Sequence, residues 1–522
     1  MTADGLQLGS WFSRRPTRGR GVSALATAVA LTLAGCASHG AVSSGASGSS
    51  IKSRSSTTVT AHAAAIPGGN WTQFDYNAQR SGVGPTDTGI TAGNLSKLKT
   101  RIVHLPGTVD SSPVELHGVK LGRRLRDVVI VTTSYGITLA IDPGTGRWLW
   151  EFVPRGTSHL EGSPQITAAT PIVDPDRRFV YTASPNGVIH KLRVSNGRQV
   201  WGRKITTNPS YEKIEGALNI DGSSLVASTG GYEGDIPPYQ GHVVLISRRT
   251  GHITHLWNSL CSNRRHLIDP TSSCPASDSA IWGRSGSVIE PGKSGRILVA
   301  TGNGPFNGRT NWGDSVLELS RSLRLRHNWT PVDQTRLNNT DLDLGSTEPA
   351  LLPTVAGLHL AVQEGKDGLL RLLNLNRLDG TTGGAGPRTG GELQTIYAPG
   401  PTYVFTEPAV WSHGGHVYVF VADGAGTNAY ELGHSHRLFV AWQDGAGGTS
   451  PVLAGGLLYV YDPGGRLIVR DPLTGRALAS LAAAPGHWNS PIVVGGRIIL
   501  PVGDDNDLLT HGLLYIYHLP GR

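Results

Sequence analysis

The sequence predicts an all-β protein: an eight-bladed β-propeller of four-stranded antiparallel blades. Three observations predict it: a composition crowded with turn formers, a hairpin motif that recurs, and a strand-opening signal found eight times. The 522 residues include 70 Gly, 32 Pro, 12 Trp and 14 Tyr, with 38% hydrophobic and 16% charged residues. That mix is too apolar for a disordered chain and too rich in turns for a helical one. It suits many short strands joined by tight turns.

The hairpin motif is a Gly turn, a short apolar strand, a TG or NG turn, and then Trp. It reads YGITLAIDPGTGRWLW (135–150), NGVIHKLRVSNGRQVW (186–201) and GHVVLISRRTGHITHLW (241–257), and it survives without Trp in GGRLIVRDPLTGRALAS (464–480). Alternating apolar and polar residues about such turns signal β-hairpins. The opening signal is a Pro preceded by Ser, Thr or Glu, at Ser112-Pro113, Thr170-Pro171, Glu348-Pro349, Glu407-Pro408, Ser450-Pro451 and Ser490-Pro491. Weaker equivalents stand at Gly216-Ala217 and Gly286-Ser287. Most intervals run from 40 to 62 residues, enough for four strands and a connection. Repeats of this size must stack to bury their faces, and radial closure removes the exposed edges. A linear β-solenoid has shorter rungs. The Trp near a blade's end is then a packing residue between neighbouring blades. Residues 70–82 and 90–105 lead in, and HGLLYIYHL (511–519) is placed to close the ring with them.

Residues 67–522 are accordingly one propeller domain. Ahead of it, residues 1–36 read as a processing signal. Arg14, Arg15, Arg18 and Arg20 form a cationic stretch, and residues 21–35 an apolar one too short to span a bilayer comfortably. The signal ends in LAGC (33–36), which resembles the lipobox of bacterial lipoproteins and makes Cys36 the lipidation site. The alternative is a plain secretory signal with a chance Cys. Residues 37–66, rich in Ser, Gly and Ala, cannot bury enough apolar surface to fold and read as a tether. The protein is expected outside the cytoplasm, touching the membrane of the cell envelope through its anchor alone. In an oxidising compartment the remaining cysteines, Cys261 and Cys274, can pair, a closure worth roughly 3 kcal/mol. Without the leader the chain carries 42 basic and 37 acidic residues and no basic run, which argues against nucleic acid as a partner.

AIDPGTGRWLW, followed over nearly the whole mature chain by similar repeats, resembles the PQQ repeat of quinoprotein alcohol dehydrogenases and related propellers. Non-catalytic lipoprotein propellers such as the outer-membrane assembly factor share that repeat, so on its own it specifies fold more than activity. Five further stretches carry the resemblance to the dehydrogenases. TGGYEGDIPPYQGHV (229–243) implies Glu233 as a metal ligand, AIWGRSGSVIEP (280–291) implies Trp282 beneath the quinone, and ATGNGPFN (300–307) implies Asn303 as a second ligand. DLDLGSTEPALL (341–352) implies Asp343 as catalytic acid–base and ligand, with Asp341 a rival, and EGKDGLLRLLNLNRLDG (364–380) implies Lys366 facing the quinone oxygens. The implied cofactors are PQQ and Ca²⁺. A hard cation prefers such oxygen donors and polarises the quinone carbonyl. Asp343 would take a substrate proton, Lys366 would oppose developing negative charge, and Trp282 would offer a flat floor.

Each of these residues also has an ordinary explanation, as a solvated loop acid, a turn Asn, a packing Trp or a hairpin Lys. The chain departs from the dehydrogenase pattern in having no adjacent cysteines, Leu342 where a Trp usually precedes the Asp, and no C-x-x-C-H haem motif. Electrons would therefore leave to a separate acceptor. The His pairs at 413/416 and 434/436 read as surface loops, and no hydrolase elbow, zinc-protease helix, phosphate-binding loop or Rossmann fingerprint occurs. Two functions follow: a PQQ- and Ca²⁺-dependent dehydrogenase of an alcohol or sugar, or a non-catalytic scaffold docking envelope proteins.

Overall fold

A computed structural model describes residues 68–522 apart from 269, 293–294, 356 and 379–387. The expected leader, the lipobox Cys36 and nearly all of the tether lie outside the described residues. The strands form eight sheets of four antiparallel strands each. The first strands of blades 1 to 8 start at Val114, Ile172, Asn219, Val288, Ala350, Ala409, Val452 and Ile492. Every one opens one or two residues after an opening signal, the two weaker ones included. Proline suits that position because it stands before the ladder and has no N–H to contribute to it.

The ring is closed by chain ends from opposite termini. Lys99–Leu105 pairs antiparallel with Gly512–His518 and forms the outer strand of blade 8. Neighbouring blades are locked by the recurring Trp. The Trp150 indole donates to Val194 O of blade 2 (2.7 Å) and Trp442 to Pro472 O of blade 7 (2.8 Å), while Trp201 donates to Arg248 O of blade 3 (3.3 Å). Each indole lies over the turn glycine of the next blade. A Cβ on Gly197, Gly251 or Gly475 would come within 2.7 Å of a ring atom, and all three have φ near +70°. The TG and NG turns are thus glycine for two reasons, a left-handed backbone and an aromatic face pressed against it.

Alternation of strand direction gives the ring two distinct faces. The turns joining first to second and third to fourth strands lie on one face. The second-to-third loops and the connections between blades lie on the other. The lead-in segment seals the hub from the hairpin side. Val173 N donates to Thr72 O, Ile289 N to Ala78 O, Val410 N to Ser81 O, Gly455 N to Pro85 O and Gly496 N to Thr88 O. Buried Arg80 adds a bond to Leu218 O (2.9 Å). On the other face, the long connection before blade 4 holds the Cys261–Cys274 disulfide (Cα–Cα 6.1 Å).

Candidate functional site

The end of the hub away from the hairpin side is built from two kinds of segment: residues just ahead of each first strand, and the second-to-third loops. Trp282 comes from the first kind in blade 4, Asp341 and Asp343 from the first kind in blade 5. Asp235, Asn303 and Lys366 come from the loops of blades 3, 4 and 5. The structure brings five of these side chains together. Lys366 Nζ lies 2.7 Å from Asp343 Oδ2 and 2.9 Å from Asp341 Oδ1. Asn303 donates its backbone N–H to Asp343 Oδ1 (2.5 Å) and its amide to Asp341 Oδ1 (3.5 Å). Lys366 Nζ also stands 5.4 Å from the centre of the Trp282 ring. Gly302 is the seam between acid and indole: a Cβ there would lie 2.7 Å from Asp343 Oδ1 and 3.2 Å from Trp282 Nε1.

Glu233 is not part of this gathering. It sits on the exposed stretch of the 229–241 loop, and Asp235, two residues on, turns inward instead. The Tyr239 hydroxyl donates to Asp235 Oδ1 (2.6 Å) and holds it there. Asp235, Asp341 and Asp343 each offer an oxygen within 4.8 Å of the others. Burial, then the charge of Asp343, push the Asp235 carboxyl up to about 6, against the pull of Tyr239 and Lys366. The same two causes raise Asp314, and burial and Asp343 also raise Asp278. For Lys366, burial works to lower the pKa but is outweighed by Asp343 and Asp341, which hold the ammonium charged. Three acids, Asp235, Asp341 and Asp343, gathered about one lysine give a cluster of oxygen donors, the chemistry a hard divalent cation fits. A flat indole beside a fixed ammonium fits a planar anion.

Trp282 is one of a row of rings. It meets Phe405 (centroids 6.0 Å) and Trp488 (6.1 Å); Phe405 and Trp488 are stacked at 5.1 Å, and His487 stacks on Trp488 at 4.0 Å. Beyond the row, His487 Nδ1 lies 2.6 Å from Asp110 Oδ2, beside Asp504 and Asp505. Burial works to lower the His487 pKa, but Asp110 outweighs it and the imidazole is raised to about 9. Lys213 and Arg284, pairing with Glu215, Asp505 and Asp110, complete a compensated network there. Sequence reasoning missed Asp235, Phe405, His487 and Trp488. A signal for the last three was present: they stand two or three residues before an opening signal, the position of Asp110 and Arg284 too.

A family model described as outer membrane protein assembly factor BamB matches residues 123–289. No curated protein matches the chain in sequence. Among solved structures, the chain is similar to a quinohemoprotein alcohol dehydrogenase from Comamonas testosteroni, with 15% identity and a TM-score of 0.62 over 87% of this chain and 81% of that one. It is also similar to one from Pseudomonas putida HK5 (14%, TM-score 0.64, 87% and 81%). A europium-containing methanol dehydrogenase gives 16% identity and a TM-score of 0.61 over 86% of this chain and 98% of that one. At these identities the likeness to the solved structures is one of fold. By fold the chain is an eight-bladed β-propeller, and residues 123–289 match the repeat-family model.

Proposed function

We propose that the chain is an exported, lipid-anchored dehydrogenase of the quinoprotein type that oxidises an alcohol or a sugar. In this reading Trp282 would hold PQQ, and Asp343, Asn303 and Asp235, in place of the expected Glu233, would hold Ca²⁺. The observation that carries it is the convergence of Asp343, Asn303 and Lys366 beside Trp282 at one mouth of the hub. When bound, the quinone would supply the two-electron acceptor that the twenty amino acids lack. The chain's own part is positional and electrostatic. Asp343, with Asp341 as its rival, takes the hydroxyl proton of the substrate, and Lys366 faces the charge that develops on the acceptor's oxygen. The row of Trp282, Phe405 and Trp488 presents an apolar surface to the substrate carbon. Electrons then leave to a separate acceptor, because the chain has no haem-attachment motif. A cell-envelope location is the reading of the leader and accords with the outer-membrane description of the family model matched by residues 123–289.

A second reading, a non-catalytic propeller that docks envelope proteins, draws on the family model matched by residues 123–289. Dye-linked oxidation of simple alcohols and aldoses, with PQQ and Ca²⁺ added, separates the two. The dehydrogenase reading expects activity that falls about a hundredfold or more in Asp343→Asn while Km changes little. Turnover that survives this substitution would remove Asp343 from the chemistry, whereas no turnover together with no thermal stabilisation by PQQ and Ca²⁺ supports the docking reading.

A further inference from the structure

The two faces of the ring carry opposite charge. Among the described residues, the turns on the hairpin face hold 14 Lys and Arg against 6 Asp and Glu. The loops and connections on the site face hold 8 against 19. The acids of the site face are largely accounted for by the hub, where Asp343, Asp505 and their neighbours are buried and paired. Several cations of the hairpin face are not. Arg123, Arg147, Arg198, Arg249 and Arg324, spread over blades 1 to 4, are exposed and have no ion-pair or side-chain hydrogen-bond partner among the described residues. Unpaired arginines on one face of a rigid disc gain nothing for the fold.

A second observation selects the same face. The first described residues, Gly68 and Gly69, belong to the segment that seals the hub from the hairpin side. The Cβ position of Gly68 lies 3.0 Å from Asp87 O, beside the turns of blades 7 and 8 that accept this segment. The described chain therefore begins at the basic face, at Gly68, 32 residues after Cys36, the expected lipidation site.

We propose that the hairpin face of blades 1 to 4 is a docking surface for an anionic phospholipid bilayer, which turns the acidic site face away from the membrane. The partner is a lipid surface because charge and attachment point agree: a chain anchored by its N-terminus meets headgroups before it meets anything else. An acyl anchor and a basic patch are the pair of signals that give stable, oriented membrane attachment. The inference rests on the anchoring part of the proposed function and is independent of catalysis.

The test is flotation of the full chain with vesicles of phosphatidylcholine alone and of phosphatidylcholine with phosphatidylglycerol. The leader is common to all variants, so differences between variants report the face. Each arginine near such a surface contributes about fivefold to partitioning. The expected result is a preference for the anionic vesicles that falls at least about a hundredfold in the quadruple variant Arg123→Glu, Arg147→Glu, Arg198→Glu and Arg249→Glu. It is also expected to fall on raising salt from 0.1 M to 1 M, where the screening length drops from about 10 Å to about 3 Å. The milder set with Gln at the same positions serves if the Glu set folds poorly, with an intermediate loss expected. A preference untouched by either set overturns the proposal, as does basic-face binding that appears only with an acidic protein or a second copy of the chain. Loss of PQQ-dependent oxidation would leave the vesicle result unchanged, so this proposal and the dehydrogenase reading fail separately.

Discussion

Lys366 is the residue on which the candidate site turns. Its ammonium sits between two carboxylates and beside an indole, and none of those contacts is needed to hold blade 5, whose strands pair through backbone groups alone. Glu407 is a contrasting case, a carboxylate that belongs to the hub wall. It accepts from Glu348 N (3.0 Å) and Ser285 N (3.3 Å), and burial pushes it up to about 7. A carboxyl raised in the folded state contributes stability that is complete below its unfolded pKa, near 4.5, and is lost as pH rises through about 7. Glu407→Gln keeps an acceptor oxygen and removes the titration. Melting curves between pH 4 and pH 8 should therefore flatten in the variant, with the difference growing to on the order of 3 kcal/mol above pH 7. Parallel wild-type and variant curves would show that the burial of Glu407 is relieved by other means. At this scale the sequence was legible where a motif carried the residue: Trp282, Asn303, Asp343 and Lys366, which the family resemblance singled out, stand close together. Asp235 was not, because what turns it inward is a hydrogen bond from Tyr239 within an irregular loop, and no periodicity marks such a bond.

Neighbouring blades share apolar cores, and three of them are also tied to the next blade by an outer-strand Trp laid on its turn glycine. Trp150→Ala removes both the ring and the bond to Val194 O and should cost about 3 kcal/mol. Gly197→Ala should cost a similar amount by a different route, since a methyl there meets Trp150 at 2.6 Å and the backbone has φ of +68°. The double variant separates the routes: with the ring gone the added methyl has room, so the combined loss should be smaller than the sum of the two single losses. Additive losses in denaturant melts would mean that the contact does not couple the blades. Blade order, strand openings and the ring's closure were legible because turn chemistry and alternation are local signals. Blade 4 shows where that ends. Its turn has Leu323 at φ of +53° in place of glycine, so the motif could not be recognised there although the same strand pairing forms.

At the scale of the molecule, closing eight sheets into a ring creates two things that no blade has alone: a hub and two opposed faces. Residues 71–90 line the hub at the hairpin end, and acids, Lys366 and the aromatic row collect at the other end. The acidic face there draws cations toward Asp343 and its neighbours before a planar anion can settle against Lys366. Cation and quinone should bind in that order and depend on each other. Calorimetric titration of PQQ into the full chain, with and without Ca²⁺, tests this most directly. The expected result is one PQQ per chain, bound only in the presence of Ca²⁺ and lost in both Trp282→Ala and Asp343→Ala. Heat that appears without Ca²⁺ and survives both substitutions, or no heat in any condition, would contradict the assignment of this hub as a cofactor site.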